Sequence, residues 1–234
     1  MSDLALRTVQ RAVLSAADAL ESACDELCRL DAVAGDGDHG LAMAAASKAI
    51  RADLSRQEPA SLTELVASIA NHFAAVGGSM GALCSVLIEA VGRAAAEDST
   101  FSAAQLAHLL TVAEAALTSF GGAKRGDKSI IDAIGPARDA AENCAQQKLS
   151  PTCALRAAAA AAHEGAMSTA GMIARVGRAS RLGQRSLGEV DAGAMSFAIV
   201  LNALTHSYVE DMEAMVRNDT SPTTTDRVVN GGRP

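Results

Sequence analysis

Between two alanine-rich segments the chain carries the stretch Asp31-Ala32-Val33-Ala34-Gly35-Asp36-Gly37-Asp38-His39-Gly40. Three carboxylates, three glycines and one histidine fall within these ten residues. Carboxylates this close repel one another unless a cation neutralises them, and a divalent metal is the usual partner of such a cluster. The stretch also separates two apolar helical patterns. It therefore predicts a helix–helix connection that holds a cation.

Helical patterns continue on both sides of this stretch. Apolar residues recur at helical spacing over residues 3–30, and further patterns cover residues 41–57, 61–77, 79–97, 102–121, 129–147, 150–175 and 191–217. Ser61 and Ser102 each open a capping box, and Ser150 precedes a proline suited to the first helical position. Alanine dominates and aromatic residues make up only 2%, which disfavours strands. The sequence predicts an all-α fold of eight helices.

Short connections make consecutive helices antiparallel, so the eight helices are expected to form an up-and-down bundle or closed barrel. Alternate connections then lie at the same end, which groups residues 31–40, 77–81, 121–129 and 177–193. Nearly all glycine-rich or charged clusters of the chain fall in this group, so we expect one site at one end. We expect a single domain over residues 1–217. The tail, 218–234, is rich in Ser, Thr, Pro and Gly and is predicted to be disordered.

Composition excludes several classes of function. A formal net charge of −7 and the scarcity of aromatic residues argue against a nucleic-acid partner. The amphipathic N-terminus is not a signal peptide, and no run of about 18 apolar residues predicts a membrane span. The five cysteines are an odd number scattered among helical patterns, which is typical of reduced thiols. We therefore expect a cytoplasmic protein.

Residues 35–40 match the pattern G-x-G-x-x-G, but a dinucleotide site needs a preceding strand, and here a helix precedes it. An EF-hand also fails, because Ser47 stands at the twelfth position from Asp36, where a glutamate is required. A Mg²⁺ site that also holds phosphates fits the carboxylates better. An alternative stays open, in which the aspartates cap helices in a solvated loop. His39 is expected either to contact a phosphate or other ligand, or to serve as a helix cap or packing residue.

The other three connections at the same end each allow two interpretations. The glycines of 77–81 allow backbone N–H groups to approach an anion, or simply make a tight turn. Residues 121–129 superficially suggest a P-loop, but Asp127 separates Gly126 from Lys128, and a structural connection is the alternative. Residues 177–186 carry three arginines that suit phosphate contacts or form ordinary surface charge.

Taken in order, these segments resemble the nucleotide-binding L subunit (DhaL-type domain) of dihydroxyacetone kinases. The matching motifs are Asp31 with Gly35-Asp36-Gly37-Asp38-His39-Gly40, Gly77-Gly78-Ser79-Met80-Gly81, Gly126-Asp127-Lys128-Ser129, Gly177-Arg178-Ala179-Ser180, and Gly183-Gln184-Arg185-Ser186 with Asp191-Ala192-Gly193-Ala194. The resemblance spans roughly residues 3–215 and implies an eight-helix antiparallel barrel. It departs mildly at Met80, Ser129 and Arg181, where a small residue, Thr and Tyr are usual.

The resemblance also implies a ligand set. Two Mg²⁺ ions would be held by Asp31, Asp36 and Asp38 and would bridge the phosphates of ADP or ATP. The nucleotide site implied by position consists of His39, Gly40, Leu41, Ala42, Ser79, Met80, Gly121, Ile130, Arg178, Asp191, Ala192 and Gly193. Arg178 is the expected cationic catalytic residue.

In the resembled family, a separate K subunit or domain holds the hydroxyketone covalently through a histidine. This chain ends soon after its last predicted helix, so we expect it to be the phosphoryl-donor half of a kinase. The donor is ATP, or ADP that a phosphotransferase-system protein rephosphorylates, and a homodimer is also left open. Two alternatives are the nucleotide-binding domain of a fatty-acid-kinase-like system and a nucleotide-binding regulatory module that transfers nothing.

Overall fold

A computed structural model describes residues 3–97 and 100–219, and within these ranges it contains nine α-helices and no strand. The helices are α1 Asp3–Ser22, α2 Cys24–Ala34, α3 His39–Arg56, α4 Leu62–Val76, α5 Gly78–Glu97, α6 Ala103–Gly121, α7 Ile131–Gln146, α8 Pro151–Ser168 and α9 Ala192–Asp219. Short 3-10 helices cover Thr169–Gly171 and Arg178–Ser186. The all-α prediction is confirmed. The tail predicted to be disordered, 218–234, lies outside the described residues except for 218 and 219, which end α9.

Two predicted helix boundaries are wrong. The first predicted helix, 3–30, is divided at Ala23 into α1 and α2, and α2 continues to Ala34. Asp31 therefore lies in the last turn of α2, and only residues 35–38 of the predicted connection are non-helical. The helix predicted over 150–175 ends at Ser168, because the chain tightens into the 3-10 turn that begins at Thr169.

The helices form a ring. Each helix from α3 to α9 packs against the next one in the chain, α9 returns to α1, and both α1 and α2 pack against α3. Closure is marked by a hydrogen bond of 2.9 Å from the Arg11 guanidinium to Asp211. Since α1 and α2 together occupy one position in the ring, the predicted eight-helix antiparallel barrel is confirmed.

Small residues dominate one half of the core. The cluster between α6, α7, α8 and α9 is built largely from fully buried alanines, among them Ala133, Ala158 and Ala194. Alanine leaves room for close helix packing, and a glycine brings α7 and α8 closer still. A Cβ on Gly165 would lie 2.3 Å from the backbone oxygen of Asp132. The other half, between α1 and α5, uses larger residues such as Leu27 and Phe73.

Two helices also pass a length and hydropathy test for membrane spans. The segments are Gly78–Glu97, which is α5, and Ala192–Arg217 within α9. The expectation of no membrane span rested on uninterrupted apolar runs, whereas these two helices are apolar on average, with polar residues interspersed. Core helices of soluble proteins pass the same test. Both segments here form part of the ring, between α4 and α6 and between α8 and α1.

Candidate functional site

The three aspartates of residues 31–40 converge on one place. One carboxylate oxygen from each of Asp31, Asp36 and Asp38 lies within 4.8 Å of the other two. The backbone N–H groups of Gly37 and Asp38 donate to Asp31 Oδ2 at 2.8 and 3.2 Å. Because Asp31 belongs to the last turn of α2, these bonds fold the connection back over the end of that helix. The structure thus brings all three predicted carboxylates together.

Glycines make this arrangement sterically possible. A Cβ on Gly35 would lie 2.2 Å from Asp31 Oδ1, and one on Gly40 would lie 2.0 Å from the backbone oxygen of Cys24. The absence of a Cβ at Gly35 leaves room for the Asp31 carboxylate. The absence of a Cβ at Gly40 allows the start of α3 to lie directly on α2. Gly37 adopts a φ of 76°, in the left-handed region that glycine tolerates. The spacing of glycines in this stretch is therefore a requirement of the carboxylate cluster.

Arg178 connects this cluster to the 177–193 segment. Its guanidinium forms an ion pair with the Asp36 carboxylate, and both side chains are exposed. The hydrogen bond from Arg178 lowers the pKa of Asp36. Asp38 is affected in the opposite direction, because the neighbouring Asp36 carboxylate raises the pKa of Asp38. The cluster is therefore a concentrated negative charge, open to solvent and partly neutralised by one arginine.

The chemistry of these donors fits Mg²⁺. All three donors are carboxylate oxygens, the ligand type that hard divalent cations prefer, and the space beside Asp31 is one that a Cβ at residue 35 would fill. His39 is not among the donors. Its Nε2 lies 2.7 Å from Ser196 Oγ, and burial lowers the pKa of His39, which favours the neutral ring. His39 instead joins the start of α3 to the start of α9.

Four helices begin at this end of the barrel: α3, α5, α7 and α9. The start of α9 lies against that of α7, since a Cβ on Gly193 would lie 3.9 Å from that of Ile130, and the end of α6 lies against α5, since a Cβ on Gly121 would lie 3.6 Å from a methyl of Leu83. The N-terminus of a helix carries unpaired N–H groups and the positive end of its dipole, so it favours anions. Carboxylates for a cation and helix N-termini for an anion are thus close neighbours.

The other residues that were predicted to contact a nucleotide lie around this end of the barrel. Their side chains differ in exposure to solvent. Ser79 and Leu41 are exposed, while Ala192 is buried. Met80 is partly buried and packs its side chain against the apolar cluster that contains Phe73. Asp191 caps α9, because its Oδ1 accepts a hydrogen bond of 2.8 Å from the N–H of Ala194. Burial raises the pKa of Asp191 to about 6.

A buried lysine near this end was missed as a functional candidate. Lys128 is only 4% exposed, and its Nζ donates to the backbone oxygens of Thr169 and Glu189. The sequence offered one signal, the motif Gly126-Asp127-Lys128-Ser129, which suggested a mismatched P-loop and formed part of the family resemblance but did not indicate a functional lysine. Spacing within the loop does not predict burial of an ammonium group.

Comparison with known proteins agrees with this geometry. The family model described as the DAK2 domain matches residues 33–206, which contain most of the site described above. The chain belongs to the DAK2-domain family. This DAK2 domain is 39% identical over 196 residues to a D-erythrulose kinase of Mycolicibacterium smegmatis, covering 82% of this chain and 34% of that protein. It is 30% identical over 192 residues to the Escherichia coli protein named "PEP-dependent dihydroxyacetone kinase, ADP-binding subunit DhaL", covering 80% and 90% of the two chains.

Solved structures give the same assignment. The DAK2 domain superposes on the native dihydroxyacetone kinase of C. freundii with a TM-score of 0.67 and 30% identity, over 88% of this chain and 35% of that one. The same enzyme in complex with AMP-PNP and Mg²⁺ gives a TM-score of 0.65. The domain is therefore of the DhaL type. It spans about a third of the length of the erythrulose kinases that it matches.

Proposed function

We propose that this DAK2 domain is the nucleotide-binding part of a short-chain hydroxyketone kinase and presents a Mg-nucleotide to an acceptor held by a separate K subunit. The observation that carries the proposal is the cluster of Asp31, Asp36 and Asp38 beside Arg178, at the end where four helices begin. A phosphate chain needs both a divalent cation and N–H donors, and this end of the barrel offers both. The relatives named as kinases and as an ADP-binding subunit support the same conclusion.

The three aspartates would hold two Mg²⁺ ions. Bound there, Mg²⁺ shields the phosphates and offsets the charge that develops on the leaving oxygen. Arg178 is the proposed catalytic residue, because its guanidinium already lies at the carboxylate cluster and is free to turn to a phosphoryl group once a cation takes its place. The amide groups at the starts of α5 and α9 would hold the rest of the nucleotide. We assign no general base to the described residues, because the acceptor hydroxyl would be surrounded by the partner.

The proposed acceptor is a ketose of three or four carbons with a terminal hydroxyl beside the carbonyl. Relatives named for dihydroxyacetone and for both D- and L-erythrulose support this class. Two donor schemes use the same residues. In one, ATP is consumed and exchanged at each turnover. In the other, ADP stays bound and is rephosphorylated, as the name "PEP-dependent" suggests for the E. coli relative.

Calorimetric titration of Asp36→Asn with ADP in the presence of Mg²⁺ tests the site. We expect an affinity about a hundredfold weaker than in the wild type, because loss of even an indirect partner of a metal ligand costs roughly 10–100-fold. Asp25→Asn is the matched control, since Asp25 is an exposed aspartate of α2 outside the cluster. Circular dichroism should show the same helix content in all three proteins. Unchanged Mg-ADP affinity in Asp36→Asn would show that the carboxylates do not hold the nucleotide's metal.

A further inference from the structure

Lys128 occupies an unusual position for a charged residue. It is buried, and its backbone has a φ of 61°, in the left-handed region that residues other than glycine rarely adopt. Such conformations cost free energy and persist only where surrounding contacts enforce them, often next to functional sites. Both features indicate that the location of its ammonium group matters.

The ammonium group joins three separate segments of the chain. Nζ donates to the backbone oxygen of Thr169, at 2.6 Å, and to that of Glu189. Lys128 itself belongs to the connection between α6 and α7, Thr169 follows α8, and Glu189 precedes α9. Burial lowers the pKa of Lys128, while the carboxylates of Asp191, Glu189 and Asp132 favour its charged form. One side chain therefore holds the 121–129 and 177–193 segments at a set distance.

Hydrogen bonds continue from these anchors to the first turn of α9. The backbone N–H of Asp191 donates to Thr169 Oγ1 at 2.8 Å, and Asp191 in turn caps α9 through the N–H of Ala194. Thr169 is fully buried. The orientation of the Asp191–Gly193 turn thus depends on a residue that Lys128 holds directly.

On the opposite side, the loop around Lys128 is fastened to α7. The carboxylate of Asp132 accepts hydrogen bonds from the N–H groups of Gly126 and Ser129, which flank the lysine. Ile130 follows directly and lies next to Gly193. The loop is therefore fixed at its base, and its lysine reaches across to the α9 side.

We propose that Lys128 is a positioning residue for the nucleotide: it sets the first turn of α9, Asp191–Gly193, against Ile130 at the start of α7. The inference rests on the function proposed above, because both sides of this gap are predicted to contact the nucleotide. Lys128 is too deeply buried to act on the nucleotide directly. Its effect passes through backbone groups that it orients.

The test compares Lys128→Met with Lys124→Met, which makes the same chemical change at an exposed lysine of the same loop. Calorimetry with ADP and Mg²⁺ should show affinity weakened about tenfold or more in Lys128→Met, since hydrogen bonds from a charged donor are lost. Binding of Mg²⁺ alone should be unchanged, because the aspartate cluster is not touched. The backbone amide signal of Gly193 in the NMR spectrum of the free protein should shift in Lys128→Met and stay in place in Lys124→Met.

A purely structural role is distinguished by thermal unfolding. If Lys128→Met unfolds at a lower temperature but the folded protein binds Mg-ADP like the wild type, with the Gly193 signal unmoved, the inference is overturned. If that variant does not fold, Thr169→Val decides, because it removes the acceptor for the Asp191 amide with little change of volume. Thr169→Val should also weaken Mg-ADP binding, and wild-type affinity would overturn the inference. Absence of Mg-ADP binding by the wild type itself would instead refute the proposed function.

Discussion

At the scale of single residues, the ion pair between Arg178 and Asp36 shows how the negative charge of the aspartate cluster is partly neutralised. Three carboxylates within 4.8 Å of one another repel, and the guanidinium offsets part of that repulsion. A divalent cation carries more charge in a smaller volume and would compete with the guanidinium for Asp36. When no cation is bound, Arg178 pairs with the carboxylate cluster. When a cation is bound, Arg178 becomes a candidate ligand for a phosphate group.

This dual role predicts opposite effects in Arg178→Gln. Binding of Mg²⁺ alone should be as tight as in the wild type or tighter, because the competing guanidinium is gone. Binding of ADP in the presence of Mg²⁺ should weaken about tenfold, since a charge-assisted contact to phosphate is lost. Calorimetry measures both. Arg185→Gln is the control, because Arg185 is an exposed residue of the same 3-10 helix. Weaker Mg²⁺ binding in Arg178→Gln would contradict competition for Asp36.

The residues of the site differ in how well sequence predicted their placement. The convergence of Asp31, Asp36 and Asp38 followed from short spacing and glycine content, which are local properties. Burial of Lys128 and the inward turn of Met80 did not follow, because each depends on segments distant in sequence. The sequence therefore predicted which residues carry the local chemistry, but it did not predict the tertiary surroundings of each side chain.

At the scale of the helices, one close backbone approach outside the site lies between α7 and α8. Gly165→Ala would place a methyl group 2.3 Å from the backbone oxygen of Asp132, a contact that side-chain movement does not relieve. We expect a loss of about 1–3 kcal/mol in the free energy of unfolding, the usual cost of overpacking. Gly171→Ala is the control, because a Cβ there meets nothing within 4 Å. Urea denaturation measures the free energy of unfolding of both variants. Equal values for the two would contradict the close packing of α7 against α8 at Gly165.

Helix beginnings were predicted better than one helix break. Ser61, Ser102 and Ser150 each accept a hydrogen bond from the N–H three residues ahead, as capping requires. These signals are local and specific. The break at Ala23 has no glycine, proline or capping side chain to announce it. The interruption consists of a local departure of the Ala23 backbone from helical values, with φ −89° and ψ 5°, and both α1 and α2 pack against α3.

At the scale of the whole molecule, ring closure and site position follow from one property, the shortness of most connections. Short loops alternate between two ends, so the connections after predicted helices one, three, five and seven share one end. The ion pair between Arg178 and Asp36 and the hydrogen bond from Lys128 to the Glu189 backbone oxygen show that three of these connections, 31–40, 121–129 and 177–193, meet. The same alternation places the starts of α3, α5, α7 and α9 together. The carboxylate cluster and the helix N-termini therefore lie at the same end of the barrel.

That arrangement leads to a prediction about the complete reaction. The proposed function assigns only the phosphoryl donor to the described residues, so this chain with Mg-ATP and a hydroxyketone should form no sugar phosphate on its own. Adding a K-type subunit that carries dihydroxyacetone or D-erythrulose should start phosphorylation, and the same mixture with Asp36→Asn should remain inactive. Sustained turnover with ATP indicates exchange of the nucleotide. A single turnover that resumes only with a phosphotransferase-system donor indicates ADP that stays bound. Formation of sugar phosphate by this chain alone would place the acceptor site within the chain. That result would contradict the proposal that a separate K subunit holds the acceptor.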